Sequence, residues 1–91
     1  MPTHVTGTLQ FPAENLDATR AAFEEHVRLS RLEPGCIKFD YTEAPAGHIT
    51  LDELYDDAEA FAAHNTRTKA SAWMEFRAGV VADIHTADVP A

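Results

Sequence analysis

Four stretches of alternating apolar and polar residues, two stretches of helical periodicity, and the order in which they follow one another predict an α+β fold. The order strand, helix, strand, strand, helix, strand is the split β-α-β arrangement of the ferredoxin-like class: a four-stranded antiparallel sheet with its helices on one face. At 91 residues the chain is expected to form one domain, 1–91, near the small end of what supports its own core.

The first strand is read over 3–11, "THVTGTLQF", where Val5, Leu9 and Phe11 face one way and His4, Thr6, Thr8 and Gln10 the other. Pro12 stops it. Over 13–32 the period becomes helical: Leu16, Phe23 and Val27 share a face that Ala22 and Leu29 widen. "EPG" at 33–35 ends that helix, because proline disfavours helix in the residue before it and glycine tolerates the turn that follows. Residues 36–43, "CIKFDYTE", alternate again, with Ile37, Phe39 and Tyr41 on one face, and "APAG" supplies a hairpin connection. In "HITLDELY", 48–55, Ile49, Leu51, Glu53 and Tyr55 oppose His48, Thr50, Asp52 and Leu54. "DDAE" then starts a helix with Asp56 as N-cap and Glu59 three residues on, running to about Phe76 with a break expected near "NTRT". The last strand is placed at 79–86, followed by a short polar tail, "TADVPA". The sheet face away from the helices is expected to be apolar enough to seek a second copy of the chain.

Composition excludes several classes of function. Seven Lys and Arg against fifteen Asp and Glu leave a formal charge of −8, which repels a phosphate backbone and an anionic bilayer alike. Nucleic acid and membrane are therefore not expected partners. No apolar run approaches the ~20 residues that span a bilayer. The opening "MPTHVTGTLQF" has neither the basic start nor the apolar core of a secretory signal, and a single cysteine cannot form an internal disulfide; the expected setting is cytoplasmic. Five histidines at 4, 26, 48, 64 and 85 show no metal-ligand spacing, so no metal site is read. There is no glycine-rich phosphate loop and no nucleophile elbow. Cys36, at the start of a strand, is read as a small buried residue rather than an activated thiol.

Glu53 is the most informative residue. Period two places it on the core side with Ile49 and Leu51, where a carboxylate must be hydrogen-bonded or line a cavity. Both readings stay open. His64 lies three residues after Phe61, at the edge of the second helix's inner face, either as a buried structural histidine, bonded to Glu53, or as a group that moves a proton. Asn65 and Thr68 put two neutral polar groups on the same stripe, the mark of a pocket or of an irregular helix. Trp73 is either core or one wall of a flat aromatic pocket, and Arg67 is either a solvated or ion-paired residue or an anion anchor.

Three stretches together resemble the antibiotic biosynthesis monooxygenase family. "SRLEPGCIKFDY" (30–41) is similar to its helix-to-strand signature, Glu-Pro-Gly-Cys followed by alternating apolars. "LDELYDDAEAFAAH" (51–64) is similar to its strand Glu, aromatic two residues on, capped helix and helix-end histidine, and "HNTRTKASAW" (64–73) resembles a branch with Arg, Ser and Trp at these spacings. The chain departs from many members in having Tyr55 for a tryptophan and Lys69 for a second histidine. The axial histidine and Asn–Trp arrangement of haem-degrading relatives do not map cleanly onto it, which points away from haem.

The resemblance implies a homodimer in which sheets pack face to face as a dimeric α+β barrel, each subunit keeping a cavity between sheet and helices. It implies oxidation of an electron-rich aromatic, a quinol, polyphenol or polyketide, by molecular oxygen with no metal, flavin or other cofactor. His64 would be the base, oriented by Glu53; Asn65 and Arg67 would steady the anion or reduced oxygen. Trp73, Phe39 and Tyr55 would sandwich the ring, with Thr68 nearby. Two other functions fit the same barrel, an isomerase and a non-enzymatic ligand-binding or stress-response module, since one fold hosts unrelated chemistries.

Overall fold

A computed structural model describes residues 1–90. The strands are β1 (Thr3–Gln10), β2 (Cys36–Ala44), β3 (His48–Tyr55) and β4 (Val81–Asp88), and the helices are α1 (Leu16–Arg31), α2 (Ala58–Lys69) and α3 (Trp73–Arg77). All pairings are antiparallel, in the sheet order β2-β3-β1-β4, and the helices lie on one face. This is the ferredoxin-like α+β arrangement that the periodicities predict.

The core lies between sheet and helices. Val5, Leu9, Phe39, Ile49 and Leu51 project from the strands onto Phe23 and Val27 of α1 and Trp73 of α3. Each such side chain removed from water contributes about 1.5–3 kcal/mol, and Phe23 sits at the centre, edge-on to Phe11 at 5.6 Å and Tyr41 at 4.9 Å.

Several boundaries differ from expectation for local reasons. Helix α1 starts at Leu16 rather than 13, because Asn15 is in the left-handed region (φ 59°), which asparagine tolerates but a helix cannot continue through. The N-cap of α2 is Asp57, whose Oδ1 accepts from the Ala60 amide at 2.8 Å. The helix starts at Ala58, so Asp57 rather than Asp56 holds the capping position, and the Asp56 amide donates to Gly35 O at 2.9 Å, extending the link between β3 and the "EPG" corner. The "NTRT" stretch stays helical. Thr66 and Thr68 return their hydroxyls to the carbonyls of Ala62 and His64, at 3.1 and 2.7 Å, so neither competes for the helical amides. The break falls instead at 70–72, where Ser71 Oγ donates to Thr68 O at 2.7 Å and α3 restarts at Trp73.

Strand β4 begins two residues later than read, since the amides of Gly79 and Val80 close turns onto Phe76 O and Arg77 O. It also runs into the segment expected to be a loose tail: Thr86, Ala87 and Asp88 pair with β1, and the Val89 amide donates to Pro2 O at 2.8 Å. Ala91, the last residue of that tail, lies outside the described residues. A bulge between Cys36 and Lys38 leaves Ile37 unpaired and 54% exposed, so it does not share the inner face with Phe39 and Tyr41.

The outer face of the sheet is polar, against expectation. It carries His4, Thr6, Thr8, Lys38, Asp40, Thr50 and Asp52, with Leu54 and Val81 among its few apolar members. Asp52 bridges strands there, accepting from Lys38 Nζ at 2.8 Å and lying 2.7 Å from His4 Nε2. The alternation itself was legible; what it selects for the outer positions is hydrogen-bonding groups.

Two glycines permit close approaches that set this geometry. A Cβ on Gly35 would sit 2.4 Å from Ala60 Cβ, so the corner after α1 presses directly on the first turn of α2. Gly47, at φ 78°, turns the β2–β3 hairpin where a Cβ would meet Leu16 and Phe11 at under 3 Å.

Candidate functional site

Between the sheet and the helices lies a cavity of about 550 Å³. Its sheet wall is Val5, Leu9, Phe39, Leu51 and Glu53; α1 contributes Phe23 and His26; α2 contributes Phe61, His64, Asn65, Thr68 and Lys69; Trp73 and Arg77 come from α3. The apolar stripes of the helices and of the inner strand face bring these walls together, and the polar residues within the stripes border the cavity.

Of the residues singled out in the sequence, Glu53, His64, Asn65, Thr68, Phe39 and Trp73 all line this cavity. Tyr55 and Arg67 do not. Tyr55 is fully buried behind Glu53 and donates its hydroxyl proton to Glu53 Oε1 at 2.6 Å. Burial, together with the charge of Glu53, drives the Tyr55 phenol far above its ordinary pKa, so it keeps the proton it donates to Glu53. Arg67 is not part of the cavity wall, and Trp73 is both core and wall: 4% exposed, packed against Phe11 and Phe23, yet bordering the open space.

Glu53 is buried, and burial raises its carboxyl from the ordinary 4.5 to about 7; the Tyr55 hydrogen bond opposes this, while the charges of Glu33 and Asp52 add to it. It holds its proton through most of the mildly acidic range.

The hydrogen-bond partner of His64 is Glu33 rather than Glu53. Nδ1 of His64 lies 2.8 Å from Glu33 Oε1, and both side chains are largely buried. Glu33 Oε2 accepts from Arg67 Nε, and Arg67 Nη2 continues to Ser30 Oγ at 3.0 Å and to His26 Nδ1 at 3.5 Å. Burial lowers the His64 pKa more than the Glu33 contact raises it, and Arg67 lowers it further. A neutral His64 facing a carboxylate must place its ring proton on Nδ1, because an ionised carboxylate only accepts. Its Nε2 lone pair is then free. His64 is held from the sides by Phe61, nearly parallel at 6.1 Å, and by Tyr55 at 5.0 Å.

Three members of this network, His26, Ser30 and Glu33, were not singled out as site residues. A signal existed for the first two: His26 and Ser30 fall three residues after Phe23 and Val27, polar groups on the inner stripe of α1, just as Asn65 and Thr68 are on α2. For Glu33 there was none, since its partners lie 31 and 34 positions away. Among the described residues no three His, Cys, Asp or Glu side chains converge as a metal would require. No helix among them is long and apolar enough to cross a membrane.

Solved structures share this fold over nearly the whole chain. The Rv0793 protein of Mycobacterium tuberculosis superposes with a TM-score of 0.76 at 21% identity, covering 100% of this chain and 97% of that one. A candidate antibiotic biosynthesis monooxygenase from Bacteroides thetaiotaomicron gives 0.79 at 21% identity, covering 97% and 89%. Another from Deinococcus radiodurans gives 0.74 at 21%, covering 100% and 94%. Among curated proteins, none matches the sequence significantly. The family model for antibiotic biosynthesis monooxygenases matches residues 2–75, a span that holds the EPG corner, Glu53, His64 and Trp73. The chain belongs to the antibiotic biosynthesis monooxygenase family.

Proposed function

We propose that the cavity oxidises an electron-rich aromatic, a quinol, polyphenol or polyketide, with molecular oxygen and no metal or flavin. The observation that carries this is His64: in the cavity wall, its Nδ1 proton committed to Glu33 and its Nε2 lone pair unclaimed. A phenol or anthrone is a poor electron donor until it loses a proton; His64 Nε2 takes that proton, and the anion reduces oxygen. For an anthrone, the methylene CH₂ becomes C=O, one atom of O₂ enters the product and the other leaves as water. Glu33, not Glu53, orients the base. Glu53 contributes a carboxyl that can donate as well as accept near neutral pH, Asn65 a neutral amide at the rim, and Trp73 and Phe39 the flat walls.

An open cavity of about 550 Å³ supports an enzyme over a module whose interior is filled by side chains. A homodimer through the outer sheet face is part of the proposal and rests on the family. With a polar outer face, its contacts would be hydrogen bonds and ion pairs around Asp52, Lys38 and His4 as much as apolar burial. A cytoplasmic setting accords with Cys36 being unpaired.

Oxygen uptake with a panel of hydroquinones, naphthoquinols and anthrones tests the reading. Substrate-dependent uptake that falls at least about a hundredfold in His64→Ala is expected; uptake no greater than in that variant refutes it.

A further inference from the structure

We propose that His26 forms an oxyanion-binding subsite on the α1 wall of the cavity, its Nε2–H donating to the phenolate or enolate oxygen of a bound aromatic. Arg67 sets the tautomer. A guanidinium can only donate, and its Nη2 stands 3.5 Å from His26 Nδ1. Nδ1 therefore accepts, and the single proton of the neutral ring is on Nε2. Arg67 lies outside the cavity wall and His26 lies in it, so the end of the ring opposite Nδ1 is the polar edge His26 has to offer the cavity.

The ring is fixed in place. It stacks on Trp73 at 5.8 Å and 19°, meets Phe39 edge-on at 5.7 Å, and its own helix is held by Ser30 Oγ donating to His26 O at 2.7 Å. A donor that does not have to reorganise is what stabilises charge well in a dry site. Burial above all, with the Arg67 charge and that of His64 once it is protonated, keeps the imidazole neutral down to about pH 3, so His26 cannot compete as a base.

His64, 5.4 Å away, has the opposite tautomer. Arg67 stands behind both: its Nε binds the Glu33 that claims the Nδ1 proton of His64, and its Nη2 claims the Nδ1 lone pair of His26. One guanidinium thus makes one imidazole an acceptor at Nε2 and its neighbour a donor at Nε2. Environments that push two adjacent groups apart in this way separate base from anion stabiliser. Thr68 does not take this role, because its hydroxyl proton is committed to His64 O. The subsite deepens the proposed function and rests on it for the source of the anion.

Two measurements test it. Long-range ¹H–¹⁵N spectra of the imidazoles should show His26 protonated on Nε2 and neutral from about pH 5 to 8, with His64 protonated on Nδ1. With 4-nitrophenol as probe, the cavity should bind the phenolate, and His26→Phe should weaken that binding about tenfold or more. The same variant should leave the affinity for 4-nitroanisole, which cannot ionise, nearly unchanged. His26→Gln, whose amide N–H falls near the Nε2 position, should recover much of the loss. A His26 proton on Nδ1, a wild type that does not bind the phenolate, or equal phenolate affinity in His26→Phe overturns the subsite. Phenolate binding that depends on His26 while no substrate gives oxygen uptake leaves the subsite standing and removes the monooxygenase. Oxygen uptake with kcat and phenolate affinity unmoved by His26→Phe does the reverse.

Discussion

Glu53→Gln should stabilise the protein at neutral and alkaline pH and do progressively less as the pH falls. In the folded protein the Glu53 carboxyl titrates at about 7, against an ordinary 4.5 for the unfolded chain. Below pH 4.5 both states hold the proton, and the residue makes no pH-dependent contribution. Between 4.5 and 7 the unfolded chain releases it while the folded protein keeps it, so stability falls as pH rises, by ~1.4 kcal/mol per pH unit. Above pH 7 the loss is complete at about 3 kcal/mol. The amide that replaces the carboxyl still accepts from Tyr55 and cannot ionise, so the variant escapes this loss. His26 obscures the effect in the wild type. Its pKa falls from 6.5 to about 3, so between those values the unfolded chain binds the extra proton and stability rises with pH. Over the pH range 4.5 to 6.5 the two slopes are opposite and nearly equal. The comparison must therefore be a difference: urea unfolding of wild type and Glu53→Gln at a series of pH values from about 4 to about 8. The variant's advantage should grow by about 3 kcal/mol across the window. A difference that stays flat means that Glu53 ionises normally and is not desolvated as its burial requires. A difference of the opposite sign means that some cation holds it ionised, and either result refutes a carboxyl raised by burial.

Two further outcomes follow from the same network. Glu33→Gln replaces an acceptor-only carboxylate with an amide that can also donate, so the His64 tautomer is no longer fixed, and it removes the anion paired with Arg67; His64 should titrate at lower pH by NMR, and substrate-dependent oxygen uptake should drop about a hundredfold while the fold survives. Tyr55→Phe removes a hydrogen bond that favours the ionised form of Glu53, so the midpoint of the stability difference described above should move to higher pH; an unmoved midpoint would show that the bond is not made in solution.

Much of the fold was legible because period two and period 3.6 are local. Val5, Leu9 and Phe39, or Phe23 and Val27, announce their common face within one element. The inward direction of Glu53 and the polar stripe of His64, Asn65 and Thr68 follow from the same periodicities, and the cavity has them where counting puts them. What counting misses is choice among equivalent residues and contact over long separations. Two consecutive aspartates can each cap α2, and the start of the helix at Ala58, just past the pairing of Asp56 with Gly35, makes Asp57 the cap. Ile37 reads as inward until a bulge takes it out of register. Glu53 and Glu33 are both carboxylates that could face His64; which of them does depends on how α2 lies across the sheet, and no local pattern encodes that.

The "EPG" corner ties these levels together. The Glu33 amide donates to Ser30 O, its carbonyl accepts from Cys36, and these bonds close the turn from α1 into β2. With the backbone so committed, the Glu33 side chain projects from the end of α1 toward α2. Gly35, two residues on, lets Ala60 come against the corner, and Asp56 binds Gly35 O just ahead of the Asp57 cap. His64 follows Ala60 by four residues, one turn along the same face, and Arg67 follows His64 by three. The contact at Gly35 therefore fixes how far α2 stands from Glu33, and with it whether His64 and Arg67 can both reach one carboxylate. A residue with any Cβ at 35 would separate the helices at the point where the proton of His64 is assigned. The corner that ends a helix and the bond that orients a base are set by the same three residues, which gives Glu-Pro-Gly a role in the chemistry as well as in the turn.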